Sequence, residues 1–104
     1  MKIYISMPNG TNKTDLLSPE YRARINALGE VDENNTSEQI EQSKIKDIAN
    51  NYDAILTSWG MSCIMGDDVK NSRLKFIGHI AGSVQGIVDE SVFDTDVNEC
   101  EALA

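Results

Sequence analysis

The chain has 104 residues, 40% of them hydrophobic and 25% charged, with a formal net charge of -8. This length supports a single domain, residues 1–104, with one core and no need of staples. The acidic balance, with no basic run anywhere, argues against nucleic acid or an anionic membrane as a partner.

Cys63, Cys100 and the single histidine, His79, match no metal-ligand or redox spacing, so no metal site is expected. Two cysteines without a framework fit a reducing, cytoplasmic setting, although a disulfide between them stays open. The apolar start is too short for a signal peptide, and no stretch approaches membrane-spanning length.

In chain order, residues 2–6 read as a strand, rich in Ile and Tyr, stopped by Pro8, Asn9 and Gly10. Residues 8–17 read as a polar loop without a core face. A helix follows, with Ser18 as N-cap and Pro19 at its first position. Leu17, Tyr21, Ile25 and Leu28 form its apolar stripe, and Gly29 closes it in a left-handed cap. Residues 30–32 form a minimal second strand around Val31, and residues 34–36 a turn. Ser37 caps a second helix over residues 40–50, with Ile40, Lys44, Ile48 and Tyr52 on one face and Ile45 beside it. Residues 53–57 form the third strand, apolar in its centre. A short helical stretch over residues 66–71 precedes the fourth strand, residues 74–78. Residues 88–93 read as another helical turn, and Val97 marks a last, weak strand.

Strands alternating with helices imply right-handed crossovers and a mainly parallel sheet. The expected fold class is α/β: a flavodoxin-like three-layer sandwich with strand order 2-1-3-4-5. Ligands of such sheets bind outside the carboxyl ends of the strands. Three loops stand there: residues 7–10, 58–61 and 79–86.

Each loop has a functional and a structural reading. His79 is either a polar contact in a cleft or a structural histidine that holds its loop. Gly82, Ser83, Val84 and Gly86 form either an anion-binding nest of backbone N–H groups or a tight turn that needs glycine. Trp59, within Ser58-Trp59-Gly60, either walls a cleft or packs on a partner domain. Residues 6–14 superficially resemble a phosphate loop for flavin mononucleotide. A loop of that kind runs straight into a helix, whereas the first predicted helix starts only at Pro19. A receiver domain would need an aspartate where Ser58 and Trp59 stand. No Ser-His-Asp set, metal cluster or dinucleotide fingerprint is present, so catalysis by this chain alone is not expected.

Over residues 17–97 the sequence resembles the N-terminal part of the substrate-binding domain of D-isomer-specific 2-hydroxyacid dehydrogenases. Three blocks carry the resemblance: LSPEYRARINALGEV, DAILTSWG and LKFIGHIAGSVQGIVDESVF. It implies a two-domain oxidoreductase that interconverts 2-keto and D-2-hydroxy acids with NAD(P), the substrate lying between the domains. By that resemblance Gly82, Ser83 and Val84 lend backbone N–H groups to the substrate carboxylate, and Ser58, Trp59 and Gly60 stand at the substrate end of the cleft. The family's nucleotide-binding domain, its carboxylate-gripping Arg and its His–acid pair have no counterpart in these 104 residues. The expectation is therefore a truncated or stand-alone substrate-binding domain that holds no cofactor itself. Two alternatives remain: an interaction module that self-associates or binds a partner protein through the face the missing domain would cover, and a flavodoxin-like FMN binder.

Overall fold

The computed structural model describes residues 1–58, 63–80, 89, 91–92, 95 and 97–102. Five strands, β1 (Lys2–Ile5), β2 (Glu30–Glu33), β3 (Ala54–Thr57), β4 (Phe76–Ile80) and β5 (Asn98–Ala102), form one sheet in the order β2-β1-β3-β4-β5. Every pairing is parallel. Four helices join them: α1 (Thr11–Leu16), α2 (Pro19–Asn26), α3 (Gln42–Asn51) and α4 (Gly66–Val69). The fold is the flavodoxin-like α/β sandwich expected from the alternation of elements.

Side chains alternate across a strand, so each strand feeds two cores. Ile55 and Ile77 join Ile45 and Ala49 of α3, Val69 of α4, and Leu74, Val92 and Val97 on one face. Ile5 and Met7 join Leu17 on the other, with Leu16, Ile25, Val31 and Leu56 packed against them. The β1-to-β2 crossover thus covers one face, and the next two crossovers cover the opposite one.

Several local readings need correction. Residues 11–16 are helical rather than loop. The Gly10 carbonyl accepts the Thr14 N–H and hydroxyl, both at 3.1 Å. Thr, Asn and Asp are poor helix formers, so the anchor of α1 is tertiary: Lys13 is 4% exposed and Leu17, just past its end, 3%. The N-terminus of α2 is as expected, the Ser18 hydroxyl accepting the Tyr21 N–H at 3.3 Å. Only half of its expected stripe is buried: Leu17 and Ile25 pack into the core. Tyr21 and Leu28 are 37% and 62% exposed, and no residue of α2 is fully buried.

Gly29 is not a left-handed cap, because α2 ends at Asn26 with Ala27 in the right-handed region. Gly29 instead adopts φ 154° where the chain passes Met1. A Cβ there would stand 1.9 Å from the Met1 carbonyl oxygen, which accepts the Glu30 N–H at 3.0 Å and so begins the β2–β1 ladder. The second predicted helix begins at Gln42 with Glu41 as N-cap, not at Ser37. Its buried face is Ile45 and Ala49, with Ile40 and Ile48 at the margin and Lys44 exposed. β4 lies two residues later than expected, which places His79 within the strand.

At the amino edge of the sheet Asp53 ties three segments. Its carboxylate accepts the Lys2 N–H at 2.7 Å and both Arg73 guanidinium nitrogens at 3.0 and 3.2 Å. Its carbonyl accepts the Lys75 and Phe76 N–H groups. The Arg73 hydrogen bonds, then the Lys2 N–H, hold its carboxyl down at about 2. Beside it, Tyr52 donates to Asp32 at 2.6 Å and packs on Tyr4 with ring centroids 5.1 Å apart. Partial burial, reinforced by Asp32, pushes the Tyr52 phenol up to about 12.

Candidate functional site at the carboxyl edge of the sheet

In an open parallel sheet, the strand order reverses at one point, and ligands collect outside the carboxyl ends there. In this order the reversal falls between β1 and β3. The chain leaves β1 towards β2 on one side and returns after α3 to build β3 on the other. Four loops emerge at that edge.

The β2–β1 side is closed by hydrogen bonds. Asn34, 4% exposed, donates from its side chain to Ser6 O at 3.2 Å and Glu38 O at 2.8 Å, and accepts from the Thr36 N–H and hydroxyl. Its N–H donates to Ile5 O at 2.9 Å. The buried ammonium of Lys13 meets Asn34 O at 2.8 Å, Asn9 Oδ1 at 3.0 Å and Glu33 Oε1 at 2.6 Å. Arg22 meets the other Glu33 oxygen at 3.0 Å. Arg22 first, then Lys13, holds the Glu33 carboxyl below its usual range. An isolated charge as buried as Lys13 is prohibitive, and these three acceptors are what permit it.

The β1–β3 side is open. A cavity of about 210 Å³ lies there, lined by Met7 after β1, Ser58 after β3, the start of α1 and Gln39. Just before Met7, Ser6 ties β1 to β3, its N–H and hydroxyl both donating to Leu56 O, at 3.0 and 2.9 Å.

The β3 and β4 ends are tied to each other. Thr57 and His79 are register partners, and Thr57 Oγ1 lies 2.8 Å from His79 Nδ1. Both side chains are fully buried. The ring nitrogen either donates or accepts according to the tautomer. His79 is therefore an internal strut between two strands rather than a group facing a cleft. The two loops that follow, from Ser58 and from residue 81, leave the sheet from adjacent strands.

Of the residues singled out by sequence, Ser58 is 7% exposed and lines the β1–β3 cavity, and His79 is buried beside Thr57. Trp59, Gly60, Gly82, Ser83, Val84 and Gly86 lie outside the described residues. The objection to a phosphate loop also changes. Residues 6–10 do run into a helix, α1, but one of only six residues.

Sequence reasoning did not find Lys13, Asn34 or Thr57. A lone lysine in a polar run carries no mark of burial. Asn34 does carry a signal, standing at the head of the predicted turn where an Asx side chain reaches its own backbone. Cys63 is a free cysteine whose thiol is pushed up by burial and then by Asp89 and Asp68, the opposite of an activated nucleophile. Among the described residues no group of three or more His, Cys, Asp or Glu side chains could hold a metal ion, and no helix is long and apolar enough to cross a membrane.

Compared with protein-family models, curated proteins and solved structures, the chain matches none. The geometry defines a flavodoxin-like α/β domain with its candidate ligand edge at the carboxyl ends of β1, β3 and β4.

Proposed function

We propose that this chain acts as a substrate-binding domain of the D-2-hydroxyacid dehydrogenase type, holding the carboxylate of a small 2-keto or 2-hydroxy acid at the carboxyl ends of β3 and β4. The observation that carries the reading is the Thr57–His79 pairing. It links β3 and β4 by a buried side-chain contact at the end of β3 and next to the end of β4, which supports a fixed point of departure for the loops that follow. In this reading Gly82, Ser83 and Val84 present backbone N–H groups to the carboxylate, and glycine at position 86 keeps that backbone accessible. Ser58, Trp59 and Gly60 flank the rest of the acid. His79 serves as a positioning residue that fixes the loop's point of departure. Hydride transfer requires NAD(P), which in the family is held by a nucleotide-binding domain; these residues contribute substrate contact.

Thermal-shift scans with a panel of 2-keto acids and their neutral amide analogues test the reading. A ligand at one hundred times its Kd stabilises the fold by about 2.7 kcal/mol. Stabilisation by the acids and not by the amides is expected. An equal response to both, or none, contradicts the reading.

A second reading, an interaction module, draws on α2. Tyr21 on that helix and Leu28 just past its end are exposed apolar side chains, and such surfaces often mark contacts. Sedimentation that depends on concentration would favour self-association there.

A further inference from the structure

The cavity between the ends of β1 and β3 shares Ser58 with the proposed substrate site, but its other lining residues come from residues 7–13 and Gln39, so it is argued from its own geometry. We infer that it is a binding site for a short-chain carboxylate.

Its charge is the first argument. The chain carries 17 acidic residues against 9 basic ones. The groove beside α3 is lined by Glu33, Glu38, Glu41 and Asp47 with Lys44, and the cavity beside α4 by Asp67 and Asp89 with Lys70 and Lys75, so both contain carboxylates. Among the described residues that line the β1–β3 cavity, no side chain is acidic, and one, Lys13, is cationic. Lys13 shares Glu33 with Arg22. Two cations around one carboxylate leave a surplus positive charge; Arg22 is 39% exposed, but Lys13, at 4%, is nearly dry, so screening is weak on its side.

Donor supply is the second argument. The Lys13 ammonium already meets three oxygens, and the Asn9 amide is committed to Lys13 and Asn35. These groups supply field and shape rather than direct contacts. Direct contacts fall to the hydroxyls of Thr11 and Ser58, which line the cavity from the segments that follow the adjacent strands β1 and β3. Ser58 is 7% exposed and lines the cavity, so its hydroxyl gains a charged acceptor when an anion enters.

Size and apolar content select among anions. About 210 Å³ is below the range of sites for drug-sized ligands. It admits an acid of a few carbons. Met7 and Pro8 supply apolar wall that suits a short carbon chain and gives nothing to a bare inorganic oxyanion.

The test is amide NMR titration of the 104-residue protein with acetate, pyruvate, acetamide and inorganic phosphate. Saturable shifts at Thr11, Gln39 and Ser58 with acetate and pyruvate, but not with acetamide, are expected. In Thr11→Val, at an exposed position that leaves the core intact, the carboxylate affinity should fall about tenfold, the usual scale for one hydrogen bond to a charged group. Ser58→Ala should act in the same direction. Equal shifts with acetamide, or no saturable shift in this segment, overturn the site. Binding of phosphate without binding of acetate or pyruvate overturns the carboxylate assignment. An unchanged affinity in both variants overturns the assigned contacts. Carboxylate shifts confined to residues 82–84 would contradict this site while supporting the proposed function; shifts confined to the β1–β3 cavity would do the reverse.

Discussion

Thr57 and His79 face each other across the β3–β4 ladder with Oγ1 and Nδ1 2.8 Å apart, and neither side chain reaches solvent. A hydroxyl and an imidazole nitrogen in a core of Ile and Val are tolerated where they pair, as Thr57 Oγ1 and His79 Nδ1 do. Thr57→Val keeps the shape and removes the hydroxyl, so it leaves one His79 nitrogen without that partner. It should lower unfolding free energy by about 1–3 kcal/mol, and Thr57→Ser by less. Urea denaturation of the two variants checks the order.

Gly29 is required by contact rather than by a turn. A Cβ there meets the Met1 carbonyl oxygen at 1.9 Å, the same oxygen that accepts the first β2–β1 hydrogen bond. Gly29→Ala must either displace Met1 or open the start of that ladder. A loss of about 1–3 kcal/mol is expected, with the largest changes in amide exchange at Lys2 and Glu30. Unchanged stability would show that the N-terminus does not pass Gly29 as described.

The two carboxylates paired to arginine from α2 should differ sharply. Glu33 neutralises Lys13, which is 4% exposed, whereas Glu20 and Arg24 are 77% and 70% exposed. Glu33→Gln leaves a buried ammonium with neutral acceptors only and should cost about 1–3 kcal/mol, largely retained at high salt. Glu20→Gln should cost less than about 0.5 kcal/mol and vanish as salt rises. Denaturation at two ionic strengths distinguishes them.

Acid sensitivity should have an identifiable source at Asp53. Its carboxyl titrates at about 2 in the fold against 3.8 ordinarily. A depressed pKa means the folded state prefers the carboxylate, so this contribution is complete above the ordinary value and lost as pH falls through about 2. Asp53→Asn should flatten the dependence of the unfolding midpoint on pH between about 4 and 2, and leave the dependence above pH 5 unchanged. Tyr52 behaves in mirror image. Its raised pKa keeps its contribution intact below pH 10 and removes it as pH rises through about 12.

The sheet was legible because its information is local. Ile3 and Ile5, Ile55 and Leu56, and Ile77 sit in short apolar runs bounded by turn residues, and the alternating helices restrict the sheet to a few parallel orders, of which 2-1-3-4-5 is one. The start of α2 was legible for the same reason, since Ser18 and Pro19 write its cap into adjacent positions. What escaped was set by distant partners. α1 has little helical propensity of its own and is held by Lys13 reaching Glu33 and Asn34. The buried face of α3 is Ile45 and Ala49, set by the sheet residues Ile55 and Ile77 it packs on, while Tyr52 packs on Tyr4. The position of His79 followed from where β4 begins, and that is set by the Asp53 carbonyl receiving Lys75 and Phe76.

The central claim is that the ends of β3 and β4 frame a carboxylate. The most direct measurement is amide NMR of the wild-type chain titrated with a 2-keto acid, following Gly82, Ser83 and Val84. The account predicts saturable shifts at those three amides, weakened when Thr57→Val loosens the frame beneath them. A spectrum in which those amides do not move at saturating acid would contradict it.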